Sequence, residues 1–307
     1  MKGFRNRNHW VSKANKRLKF GILLLTIILL FCFFGPLFSP YELQETNLLE
    51  AKQPPSLSHW LGTDGAGRDV LLRLMYGGRI SLMVGFFAVA LEVMLGTMIG
   101  LSAGFYGGVI DNLLMRLVDV VFSIPFLPVL LLTSAVMTEL RVLPNLRIYL
   151  LVFMIGIFSW PYLARLVRSQ VLSLREEEFM LATEVLGLKD SRKIFYHLLP
   201  NVLPQVIVTG TLAVATAILA EATLSYLGVG VLPPYPSWGN MVQVVNDFND
   251  FKYRSWLWLP PGGMIFLTVA AINLIGDGLR DALDPKSEER TTSFQKGWRK
   301  SAKQLSK

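Results

Sequence analysis

Cysteine occurs once in the 307 residues and histidine three times. Cys32 has no second cysteine to pair with, and His9, His59 and His197 are too dispersed to frame a metal site. A disulfide scaffold, a paired-cysteine redox centre and a His/Cys metal centre are therefore excluded. Charge is scarce too, with 17% Asp, Glu, Lys and Arg. No Gly-rich loop ending in Lys-Ser/Thr and no Ser-His-Asp arrangement occurs, so the chain is not expected to hydrolyse ATP by itself and no catalytic residue is expected.

What the chain has in quantity is apolar sequence: 52% of residues are hydrophobic and the mean hydropathy is +0.44. That is too apolar for an ordinary soluble domain. A helix needs ~20 mainly apolar residues to cross ~30 Å of hydrocarbon, and six stretches qualify, near 20–38, 80–104, 115–137, 148–167, 203–228 and 257–279. The expected fold is all-α, a polytopic membrane protein of six transmembrane helices with both termini on one side. Lys and Arg are retained preferentially in the cytoplasm. With the N-terminus inside, the inner segments hold 22 of them and the outer segments 8. The net charge of +8 follows from this topology and calls for no nucleic-acid role. The run at 20–38 lacks a small-x-small cleavage pattern after it, so it reads as a retained helix rather than a signal peptide.

Between the first two spans lies His59-Trp60-Leu61-Gly62-Thr63-Asp64-Gly65-Ala66-Gly67-Arg68-Asp69-Val70. Gly62 and Gly67 have the spacing of a phosphate loop, but Arg68-Asp69 replaces its Lys-Ser/Thr pair. The string reads as a turn into an amphipathic helix, Val70 to Tyr76. In the second span, Gly96, Gly100 and Gly104 recur every four residues, which lets helix backbones approach closely. Glu92 and Glu221 lie within spans, where a carboxyl costs ~2.5–3.5 kcal/mol on insertion scales. Each should face a partner or a wet cavity, and both are candidates for a translocation pathway. A neutral carboxyl holding the bundle together is the alternative for each. From Leu198 to Asn246, Glu221 is the only Asp, Glu, Lys, Arg or His, which suits a passage that binds varied cargo weakly.

A charged island, Arg175 to Pro200, interrupts the apolar pattern. Ser173 and Glu176 have capping-box spacing, and Glu176, Glu177 and Glu178 suit a helix N-terminus. Phe179, Ala182, Thr183 and Leu186 fall on one face. Gly187 can end that helix in the left-handed region, and Asp190 or Ser191 can cap a second helix whose apolar stripe is Ile194, Phe195, Leu198 and Leu199. The result is an elbow between two spans.

Ala182-Thr183, then Gly187, His197 and Leu199-Pro200 at these intervals resemble the cytoplasmic loop of permease subunits of ATP-binding-cassette (ABC) importers. Leu181 stands where that family usually has Glu, and Thr183 where it usually has a second Ala. The His59–Val70 string with Tyr76-Gly77-Gly78-Arg79, the Ala220–Gly239 stretch and the Gly276–Pro285 close are similar to permeases of the bacterial dipeptide, oligopeptide and nickel importers.

The resemblance covers roughly 57–286. It implies a type I importer transmembrane domain whose elbow docks on an ATPase, with Ala182, Thr183, Glu184, Gly187 and Leu188 at the docking face and His197, Leu199 and Pro200 bracing the return. It further implies a homologous sister permease, two cytoplasmic ATPases that bind the ATP and Mg, an extracytoplasmic peptide-binding protein, surrounding membrane lipid and no cofactor in this chain. The expected division is a basic tail at 1–19, a first helix and external segment at 20–78, a five-helix core at 79–286 with the coupling loop at 170–200, and a basic tail at 287–307. A nickel or metallophore permease has nearly the same signatures. A proton-driven secondary transporter using Glu92 and Glu221, and a membrane anchor without transport, are alternatives of other classes.

Overall fold

The computed structural model describes residues 16–283; most of the two basic tails lies outside them. Among the described residues helix dominates and no β-sheet forms. Five helices among the described residues are long and apolar enough to cross a membrane, or six spans if a bent pair counts as one. The first is α1, Lys16–Phe34, closed by a 3₁₀ turn at Gly35–Phe38. Helix α2, Val70–Tyr106, runs 37 residues without a break. The expected amphipathic helix at Val70–Tyr76 is thus the first two turns of the second span. At about 55 Å, α2 is far longer than the hydrocarbon is thick.

The expected third span at 115–137 is not one helix. Helices α3, Gly108–Ser123, and α4, Phe126–Glu139, meet at 70°. Pro125 has no N–H, and its ring keeps Ile124 out of the helical region; Ile124 sits at φ −81°, ψ 120° and Pro125 at φ −70°, ψ 110°. Helix α5, Pro144–Arg175, follows, then the short α6, Glu178–Val185. One turn at Asp190–Arg192 and a π-helical turn at Lys193–Leu198 lead into α7, Leu199–Tyr226. Short helices α8, Trp238–Val242, and α9, Phe248–Tyr253, precede α10, Ser255–Leu283.

Helix α2 is the axis of the bundle, packed on α5, α7 and α1. The glycine stripe explains its closeness to α5. A Cβ at Gly96 would lie 2.8 Å from the Leu163 side chain, one at Gly100 2.6 Å from the Ala164 carbonyl oxygen, and one at Gly104 2.7 Å from Val171. These glycines bring two backbones together. Cys32 is fully buried on α1, its sulfur filling the space that a side chain at Gly78 would need. Helix α1 packs on α10 and α2, whereas α4 packs little on its own chain and leaves Leu127, Leu131, Leu132 and Val136 exposed.

Candidate functional site

The elbow grows from the end of α5, which is pinned to its neighbours by three arginines. Arg175 Nη1 donates to the Gly104 carbonyl at 3.0 Å. Arg168 grips both oxygens of Asp111, and Arg165 pairs with Asp119 at 2.6 Å while its guanidinium lies 4.5 Å from the Phe122 ring centroid. The root of the elbow is thereby tied to α2 and α3.

Two local expectations change here. Ser173 is still helical, inside α5, so it cannot act as the cap of a new helix; α6 begins at Glu178 behind Glu177, which makes no side-chain capping bond. Glu178 nevertheless places negative charge on the first turn, as the helix dipole favours. The second cap is Lys189, also without a side-chain bond, and not Asp190 or Ser191.

The turn itself forms as expected. Gly187 has φ +61°. Its N–H reaches the Glu184 carbonyl at 2.9 Å and the Leu188 N–H reaches the Thr183 carbonyl at 3.1 Å, the paired bonds of a Schellman motif. A Cβ at Gly187 would meet nothing within 4 Å, so the position demands glycine for its backbone angle and not for space.

The face that α6 buries differs from the expected one. Met180 and Thr183 point inward: Met180 enters a cluster with Leu101, Val171, Leu198 and Val202, and Thr183 donates its hydroxyl to the Met180 carbonyl at 2.7 Å. Phe179, Ala182 and Leu186 face outward, joined by Leu181 and Val185. Glu184 and Gly187 are exposed, and Leu188 is half-buried. In the return segment the π turn inserts extra backbone, breaking the expected stripe. Leu198 is buried and Ile194 and Leu199 pack beside it, but Phe195 and Tyr196 are 61% and 76% exposed. His197 is half-buried, its carbonyl accepting from Asn201 at 2.6 Å, and Pro200 is exposed. The elbow thus offers an outward apolar patch, Leu181, Val185, Leu186, Phe195 and Tyr196, on a base locked by Met180. The sequence did not single out these five, because the segment also holds Phe179, Met180, Leu188, Ile194, Leu198 and Leu199 and its spacing does not say which of them face outward.

The two intramembrane acids have different settings. Glu221 is wholly buried. Ser81 of α2 donates to one carboxyl oxygen at 2.7 Å and Ser225 of α7 to the other at 2.6 Å. Those hydroxyls in turn accept from the backbone N–H of Trp238, at 3.2 Å, and of Val231, at 2.9 Å. Trp238, also buried, donates its indole N–H to the Leu74 carbonyl at 3.0 Å. Glu221 is therefore the hub that joins α2, α7 and the 231–240 loop. Glu92 is buried on α2, on the helix face that carries Ala88 and Gly96, and makes no hydrogen bond or ion pair with the described residues.

The glycine-rich string before α2 is a structural turn. Gly62 and Gly67 have φ +70° and +75°. The Asp64 carboxylate accepts from the Ala66 and Arg68 N–H groups and from the Arg68 side chain, at 2.8, 3.1 and 2.8 Å. Asp69 caps α2 by accepting from Leu72 N–H at 2.7 Å, and its other oxygen holds His59 Nδ1 at 2.9 Å. No phosphate-binding geometry results. Farther along, Asp250 of α9 is clamped by Lys52, at 2.8 Å, and by Arg254. Burial pushes the Asp250 carboxyl up, but the hydrogen bonds from Lys52 and Arg254 outweigh it and hold it below the usual carboxylate range.

Comparison with known proteins closes the description. Residues 96–289 match the family described as binding-protein-dependent transport system inner membrane component, and residues 12–55 match the N-terminal TM domain of oligopeptide transport permease C. The chain is 40% identical over 274 residues to the oligopeptide transport system permease protein OppC of Bacillus subtilis, covering 89% of this chain and 87% of that protein. It is 44% identical over 274 residues to the dipeptide transport system permease protein DppC of Alkalihalophilus pseudofirmus, with coverage of 89% and 87%. To OppC of Escherichia coli it is 41% identical over 268 residues, with coverage of 87% and 86%. Membership implies a complex with other subunits and a multi-pass place in the membrane. On a helical bundle of this design and matches over almost nine-tenths of its length, the chain belongs to the binding-protein-dependent transport system inner membrane components, as the non-enzymatic membrane-spanning permease of an ABC importer.

Proposed function

We propose that this permease forms half of a passage for oligopeptides or dipeptides, the other half coming from a homologous sister permease. The cargo named for its relatives, at 40–44% identity, supports peptides. Two cytoplasmic ATPases, which bind the ATP and Mg, dock on the Arg175–Pro200 elbow, and an extracytoplasmic peptide-binding protein delivers cargo. Both termini are cytoplasmic, an orientation supported by the 22 to 8 distribution of Lys and Arg.

The observation that carries the coupling role is an apolar patch exposed on a rigid turn, at the end of helices that run the depth of the bundle. Ala182, Glu184 and Gly187 contribute to that surface with Leu181, Val185 and Leu186. Thr183 and Leu188 hold the Schellman turn behind it, and His197, Leu199 and Pro200 carry the return into α7. Closure of the ATPases moves the elbow as a unit, because Met180 and Leu198 share one cluster with α2, α5 and α7. Of the two pathway candidates, Glu221 also acts as a structural hub, while Glu92 has no such network among the described residues. The 20–78 segment forms a peripheral helix and outer cover, and 79–286 the transport core.

The test is uptake of labelled tri- to pentapeptides, and separately of nickel, in cells with and without the chain and with ATP depleted. Peptide uptake should vanish on deletion and on depletion. Loss of nickel uptake alone would move the cargo to the metal branch, and uptake that survives ATP depletion would overturn the elbow as energy coupler.

A further inference from the structure

An apolar groove of about 430 Å³ opens between α1, α2, α7 and α10, walled by Leu29, Phe33, Met83, Phe86, Val214 and Ile272. Arg79 stands at its Phe33 end. This arginine donates Nε to the Cys32 carbonyl at 2.8 Å and Nη2 to the Phe33 carbonyl at 2.8 Å, so it closes the end of α1. Its guanidinium lies 4.5 Å from the Tyr76 ring centroid and 5.7 Å from that of Phe33. No carboxylate among the described residues pairs with it, and Nη1 donates to none of them. Arg79 is also the last charge before the uncharged run Ile80–Leu91. An unneutralised cation fixed at the head of an apolar groove asks for a ligand with an anion at one end and a hydrocarbon body.

We propose that the groove is a site for one anionic glycerophospholipid, with a phosphate oxygen on Arg79 Nη1 and an acyl chain along α1 between Phe33 and Leu25. The eight-residue step between those side chains is about 12 Å, enough to seat the upper part of a chain. A partner helix could cover the same walls, and a crosslink from Phe86 separates that occupant from a lipid. The bound lipid fills the seam between peripheral α1 and the transport helices and so holds α1 in place.

The full-length chain is purified within its importer complex in mild detergent, stripped of exchangeable lipid, and titrated with phosphatidylglycerol and with phosphatidylcholine under native mass spectrometry. One phosphatidylglycerol per permease should be retained, bound at least fivefold more tightly than phosphatidylcholine, the equivalent of about 1 kcal/mol for one basic residue at a membrane surface. Arg79→Gln should abolish that preference. Thr211→Phe intrudes from the groove wall without removing a hydrogen bond between helices, since the Thr211 hydroxyl bonds its own turn at 2.7 Å. It should lower retention of both lipids while leaving Arg79 and the end of α1 intact. A photo-crosslinker at Phe86 should give a lipid adduct. A crosslink from Phe86 to a second polypeptide would overturn the proposal in favour of a protein occupant. Equal retention of the two lipids by the native chain, or undiminished retention by Thr211→Phe, would overturn it as well.

Discussion

Gly187 shows how a single backbone angle can set a turn with no side chain to pack. Its φ of +61° closes the elbow turn, and a β-branched residue there costs roughly 1–2 kcal/mol of backbone strain. Gly187→Val should leave assembly intact, shift the turn that presents Val185 and Leu186, and uncouple ATP hydrolysis from uptake. In proteoliposomes the expected result is ATPase activity that peptide delivery no longer raises, with uptake reduced tenfold or more; normal uptake at normal protein level would end the coupling assignment. Glu221 is the opposite kind of residue, important through what it touches. Glu221→Leu strands two buried hydroxyls and should destabilise the bundle by about 2–4 kcal/mol, read as a lower melting temperature in detergent. Glu221→Gln keeps one acceptor and should retain more of the native melting temperature than the Leu variant. Both roles stood at the edge of what the sequence displays: positive φ at Gly187 follows from a helix signal ending in Gly, but the serines that meet Glu221 lie 140 and 4 residues away.

At the scale of elements, the α2–α5 seam and the outer clamp carry the sharpest consequences. Gly100→Val would set a branched side chain where even a Cβ lies 2.6 Å from the Ala164 carbonyl. A backbone oxygen cannot rotate away, so the helices must separate, at a cost of typically 1–3 kcal/mol or more. Reduced yield of folded complex in size-exclusion chromatography is the expected readout. The Lys52–Asp250–Arg254 clamp ties the 39–69 segment to α9. The folded Asp250 carboxyl lies below its unfolded value of about 3.9. Its stabilisation is therefore fully present above that unfolded value and is lost as pH falls below it toward the lowered folded pKa. Limited proteolysis should find the outer segment protected equally at pH 7 and pH 5, but cut faster near pH 3; Asp250→Asn should show the fast cutting already at pH 7. The Ile124-Pro125 bend was readable as a Pro signal inside an apolar run, yet apolarity alone favoured one continuous span. Periodicity does not report a 70° change of direction.

The whole molecule is a half-closed object. Its α3–α4 pair and elbow leave large apolar residues uncovered, and membership of this family implies a complex with other subunits. Replacing Leu186 with Asp should therefore weaken association with the ATPases while leaving the melting temperature of the permease itself within a few degrees, because Leu186 is 74% exposed. Co-purification of the ATPases with the variant at native stoichiometry would count against the elbow as their docking surface.

By itself the sequence determined that this chain is a helical membrane protein, where five of its six expected spans lie, that the Arg175–Pro200 segment forms an elbow, and which importer signatures it bears. These rest on local physics: apolar runs of bilayer length, a glycine that ends a helix, and short-range spacing. Only the tertiary structure decided which face of α6 is buried, that Thr183 points in while Leu181 and Val185 point out, that Glu221 is a buried hub, and that Arg79, with no carboxylate partner among the described residues, heads an apolar groove. The physical reason is that periodicity defines faces but not their neighbours. A π turn of six residues and a bend at Pro125 redirect the faces locally, and the approach of α2 to α5, between residues far apart in the chain, brings them to their neighbours.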